Sequence, residues 1–163
     1  MIFIKSIFEK MTVSVGILKN KPTMHYFTFD EFAKSETAKL RGINNEIPEE
    51  IKSNIEEFVD NILDPMREKW GSGIRITSGY RSPSLNRALN GSPTSVHPFG
   101  LAVDIVPCNG NMRKFQSFVE EFLRDMEFDQ LILEKPRNGI ASWVHIGYKN
   151  SAGCQRKQTF TLV

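Results

Sequence analysis

Residues 77 to 106 read T-S-G-Y-R-S-P-S-L-N-R-A-L-N-G-S-P-T-S-V-H-P-F-G-L-A-V-D-I-V, and this stretch constrains the chain more than any other. Within it Ser95, His97, Gly100, Ala102 and Asp104 spell S-x-H-x-x-G-x-A-x-D, an imidazole and a carboxylate set seven residues apart across a glycine. Both groups are good ligands for a zinc ion. A third is available at His145, in the short apolar run Trp143-Val144-His145 that reads as a strand. Two histidines and one aspartate would leave a fourth coordination position open, the arrangement of catalytic rather than structural zinc. Alone, a histidine in a strand is more often a packing or surface residue than a ligand. The grouping is what changes that reading.

Bulk properties narrow the class. With 163 residues, 40% of them hydrophobic and 25% charged, the chain suits one globular domain. Twenty-one basic against 19 acidic residues give a net charge of +2, far from the basic footprint of a nucleic-acid binder. Cys108 and Cys154 form no C-x-x-C pair and are too few for a disulfide framework, so both read as free thiols, Cys108 as a buried one. No apolar run reaches the length of a membrane-spanning helix, and insertion into a membrane is not expected. Residues 1–23 are broken up by Lys5, Glu9, Lys10, Lys19 and Lys21, which argues against a signal peptide. They read as an N-terminal extension ahead of a single domain at 24–163.

Along the chain, Thr28 or Asp30 is placed to cap a short helix running toward Ser35. Asn45 is placed to cap a longer one on which Ile51, Ile55, Phe58, Ile62, Met66 and Trp70 recur at helical spacing, with a kink or break at Pro65 and an end at Gly71 and Gly73. Ile74–Thr77 alternates like a strand, Ser82-Pro83 starts a short helix, Ser92–Gly100 is a loop, and 101–106 is a buried strand carrying Asp104. Residues 111–126 form a second amphipathic helix. Residues 128–134 and 143–148 read as strands joined through Pro136 and Asn138-Gly139, with a closing strand at 158–163. The expected class is α+β, an antiparallel sheet with flanking helices.

A zinc held by His97, Asp104 and His145 would acidify water to a pKa of about 7 and polarise a carbonyl, the chemistry of amide hydrolysis. Glu134, at a strand end, is the first candidate for the general base, and Asp129 the reserve. Arg81 offers a planar fork of donors for a developing oxyanion or a substrate carboxylate. Ser78, Ser95 and Gln130 are candidates to support it, and Trp143 either packs beside the metal or floors the cleft.

The run S-G-Y-R-S-P-x-L-N, followed by S-x-H-x-x-G-x-A-x-D-I, D-Q-L-I-x-E and W-V-H-I, resembles the zinc D-Ala-D-Ala carboxypeptidase-like family, peptidase M15, over roughly residues 24–163. The resemblance implies a hedgehog/D-Ala-D-Ala-peptidase fold, one Zn²⁺ per chain, and hydrolysis of stem peptides in bacterial peptidoglycan. It implies His97, Asp104 and His145 as ligands and Arg81 as the arginine that meets the transition state. Beside these, Ser78, Tyr80, Ser95, Gln130 and Trp143 are the candidates to line the substrate. Many relatives carry an acidic residue three positions before the last histidine, where this chain has Ser142. The short-chain branch carries the D-Q-L-I-x-E strand instead, which assigns the base to Glu134. That branch includes phage and prophage proteins, so an endolysin-like role on the cell wall, as a monomer, is expected. The alternative from another class is a non-catalytic zinc-containing module of the same fold that binds wall fragments or a protein, since fold alone does not decide function. An acidic side chain facing the open metal position separates the two.

Overall fold

The computed structural model describes residues 24–163, so the readings made for residues 1–23 lie outside it. Helix α1 (Phe29–Ala33) is capped by Thr28, not Asp30, in a reciprocal box: the Glu31 amide donates to the Thr28 hydroxyl and the Thr28 amide to the Glu31 carboxylate. Ser35 then starts a separate helix, α2 (Glu36–Arg41), which Gly42 ends at φ 62°. The long amphipathic helix is interrupted without a simple kink. α3 (Glu49–Phe58) passes into a π-helical turn at Val59–Leu63 and on into α4 (Asp64–Trp70). Pro65 has no N–H to donate, and the wider turn absorbs the mismatch, with the Asp64 amide reaching back five residues to the Val59 carbonyl. Its inward face buries Ile55, Phe58, Val59, Ile62, Leu63 and Met66 almost completely. Gly71 closes α4 at φ 70°.

Asn45 is not a helix cap. Pro48 occupies that position, and the Asn45 amide is buried, donating to the carbonyls of Ala33 and Tyr80 while its oxygen accepts from the Ser82 amide. It ties α1, the start of α5 (Pro83–Ala88) and the segment that carries Arg81 together.

Five strands form one sheet in the order β1-β2-β4-β3-β5, where β1 is Ile74–Ser78, β2 Ala102–Pro107, β3 Gln130–Glu134, β4 Trp143–Gly147 and β5 Gln158–Leu162. With the helices before and between the strands, the organisation is α+β. The expectation of a wholly antiparallel sheet holds across β1, β2, β4 and β3, but β5 lies parallel to β3. After β4 the chain crosses to the far side of β3, where the buried Asp129 carboxylate takes a two-pronged bond from Arg156 at 2.7 and 2.9 Å. Asn138 and Gly139, both at positive φ, make the two-residue tip of the β3–β4 hairpin, closed by both bonds between Arg137 and Ile140. Helix α6 (Met112–Leu123) ends three residues before the expected Met126.

One face of the sheet, with Val103, Ile105, Leu131, Val144 and Ile146, packs against Phe115, Val119 and the α3–α4 face in the core. Burying each such side chain contributes about 1.5–3 kcal/mol. The opposite face carries the candidate site. Cys108, expected in the interior, is exposed, as is Cys154, and neither is in a disulfide. Among the described residues no helix is long and apolar enough to cross a membrane.

Candidate metal centre

Strand register assembles the site. Asp104 on β2 pairs with His145 on β4, which pairs with Ile132 on β3, while Glu134 pairs with Trp143 one step along on the same face. A bulge between Ile76 and Ser78 shifts β1 by one residue and brings Ser78 opposite Asp104. His97 comes from a short 3-10 turn, His97–Phe99, inside the segment expected to be an irregular loop. Gly100 ends that turn at φ 68°, packed so closely on α3 that a Cβ would lie 2.6 Å from Ile55 Cγ1. The glycine of the S-x-H-x-x-G-x-A-x-D pattern is therefore required twice, by its dihedral and by the helix against it.

His97, Asp104 and His145 converge, each offering one ligand atom, and these atoms all lie within 4.8 Å of one another. Asp104 Oδ1 is 2.9 Å from His145 Nδ1 and 3.5 Å from His97 Nε2. Ligands at about 2.0–2.1 Å from one tetrahedral ion stand about 3.4 Å apart, so the spacing suits zinc. The tautomer suits it too. His97 Nδ1 lies 2.6 Å from the Gly79 carbonyl, which can only accept, so Nδ1 carries the proton and Nε2 presents a lone pair. Gly79 is confined as well: a Cβ there would meet the Phe32 backbone at 2.7 Å. The second Asp104 oxygen accepts from Arg81 Nη2 at 2.6 Å, Arg81 Nε donates to the Ser78 hydroxyl at 2.8 Å, and the Thr77 hydroxyl donates to the Asp104 carbonyl.

Charge is arranged accordingly. Burial alone would raise the Asp104 carboxyl, but the electrostatic pull of the histidine rings around it and the hydrogen bond from His145 outweigh it and hold the group well below the usual carboxylate range. Burial pushes His97 down, against the pull of Asp104, so the ring stays neutral and able to ligate. Glu134 is half-buried, and burial together with the nearby Asp104 charge raises its carboxyl above the ordinary value, partly offset by His145, Arg81 and Lys135. Lys135 sits 5.3 Å from the centre of the Trp143 ring.

The remaining expected residues divide. Ser95 accepts from the His97 amide at 3.4 Å and orders the turn that presents the ring. Trp143 stands beside Glu134 across the strand pair, with its indole N–H buried and without a partner. Gln130 lies on the site face at the far end of β3, bonded to Gln158. Tyr80, expected to meet substrate, is 4% exposed and belongs to the hydrophobic core, with its carbonyl bonded to the Asn45 amide. Asp129, the reserve base, is buried in the bend that precedes β3, and both its oxygens are taken by Arg156. Thr77 was not singled out from the sequence as a site residue, and Asn45 only as a helix cap: single polar residues, they carry no spacing signal for these roles.

The family model described as Peptidase M15 matches residues 25–147, a span that contains every one of the converging residues. No curated protein matches the chain.

Proposed function

The chain belongs to the peptidase M15 family, and from that premise we propose that it is a zinc-dependent peptidase of the hedgehog/D-Ala-D-Ala-peptidase fold that hydrolyses stem peptides of bacterial peptidoglycan. The observation that carries the reading is the convergence of His97 Nε2, Asp104 Oδ1 and His145 Nδ1, with the acid Glu134 on the same sheet face. Zn²⁺ bound by the three supplies Lewis acidity, polarising the carbonyl under attack and acidifying the attacking water. Everything else falls to the protein. Glu134, its carboxyl raised toward neutrality by burial and by Asp104, takes the proton from water and returns it to the departing amine. Arg81, oriented by Ser78 and Asp104, has N–H groups left over for the charge that develops on the carbonyl oxygen. Trp143 walls the cleft beside Glu134.

All of these residues come from one chain, which supports action as a monomer. The setting proposed is the cell wall, in an endolysin-like role or as a carboxypeptidase. Digestion of purified muropeptides, followed by mass spectrometry of the products, tests the reading and identifies the bond. We expect loss of a defined peptide fragment that stops on chelation; intact muropeptides with a zinc-loaded protein would overturn it in favour of a binding module.

A further inference from the structure

We propose that Phe160 and Leu162, on β5, form an apolar subsite that receives the aliphatic stem of a substrate side chain about three residues along from the cleaved bond. The inference rests on the peptidase reading above and names part of its substrate preference. β5 runs parallel to β3 with Ile132 beside Phe160 and Glu134 beside Leu162. The Gln130 amide bonds Gln158 at 3.2 Å, so the alternate residues 158, 160 and 162 share the face of 130, 132 and 134. One straight row across the sheet is then Asp104, His145, Ile132, Phe160, and the next is Trp143, Glu134, Leu162.

Ile132, between the metal ligands and β5, is 7% exposed, whereas Phe160 and Leu162 are 38% and 45% exposed. The accessible apolar surface therefore begins two strands from His145. At about 4.8 Å per strand that is about 10 Å, or about three residues of extended peptide at about 3.3 Å each. The strand is held in place for the purpose. The Lys135 amide donates to the Leu162 carbonyl at 2.7 Å, the Lys157 amide to that of Phe128 at 3.0 Å, and Arg156 grips Asp129. Two side chains cover far less than the roughly 800 Å² per partner of a stable protein interface, which favours a peptide side chain over a second copy of the chain. β5 lies beyond the residues that the family model matches.

Synthetic stem-type peptides carrying either glycine or norleucine three residues from the cleaved bond, on each side in turn, test the proposal with the full zinc-loaded chain. Phe160→Ala and Leu162→Ala should each lower kcat/KM for the norleucine peptide about tenfold, leave the glycine peptide unchanged, and keep the wild-type melting temperature. Phe160→Leu should restore most of the loss. Equal effects on both peptides, or none on either, would overturn the subsite while leaving the peptidase reading intact. Wild-type protein that cleaves neither peptide nor muropeptides would remove both. A dimer in sedimentation that Phe160→Ala dissolves would assign the patch to self-association and overturn the proposal.

Discussion

Asp104 is held from three sides: one oxygen faces His145 and His97, the other accepts from Arg81, and the backbone carbonyl accepts from Thr77. With its negative charge fixed there, Asp104 adds to burial in raising the carboxyl of Glu134, the proposed general base. Glu134→Gln keeps the shape and removes the basicity. We predict a loss in kcat of about 10²–10⁴-fold with zinc content unchanged, read by peptide hydrolysis and metal analysis on the same preparation. His97 gives a pH prediction. Burial keeps its folded pKa below the unfolded value of about 6.5, so below that pH the unfolded chain takes up a proton that the folded chain refuses. Metal-free protein should therefore lose stability as pH falls from about 7.5 to 5.5, through the unfolded value, with stability rising with pH across the window. Urea unfolding at the two pH values checks it, and His97→Gln should flatten the dependence.

At the scale of elements, the turn at His97–Phe99 is shaped by Gly100, whose φ of 68° and contact with Ile55 and Ile51 leave no room for a side chain. Gly100→Ala combines a left-handed alanine with overpacking and should cost about 2–4 kcal/mol, lowering Tm on the order of 10 °C. Differential scanning calorimetry measures it, and an unchanged Tm would show that α3 yields. This turn also shows what could be read beforehand. His97, Gly100 and Asp104 were legible because local backbone demands and ligand chemistry fall within one short motif. The π-helical turn was legible only as trouble at Pro65, since a missing N–H says that the ladder must break but not how neighbouring carbonyls will be satisfied. Asn45 was misread for a similar reason. As a helix cap it looked ordinary, and its true partners, Ala33, Tyr80 and Ser82, lie as far as 37 residues away.

For the molecule as a whole, alternation of apolar residues announced the strands, but alternation carries no direction. The parallel pairing of β5 with β3 depends on where the chain goes after β4, and on the Asp129–Arg156 pair that pins the crossing. The same limit applied to Asp129, kept as the reserve base from its place beside Gln130 in the sequence, whose carboxylate is buried and paired with Arg156, 27 residues further on. Meeting of the central stretch with the β3–β4 hairpin was inferred from the need for a third ligand and from resemblance, and the Asp104–His145–Ile132 register supplies its physical basis. The proposed chemistry requires His97, Asp104 and His145 to act as one metal site. Metal analysis of the purified chain after exhaustive dialysis, beside His97→Ala and His145→Ala, tests it most directly. One zinc per wild-type chain, and at least a tenfold loss of affinity in each variant, is the result we predict; a chain that binds no zinc at neutral pH, or variants that hold it as tightly as wild type, would contradict it.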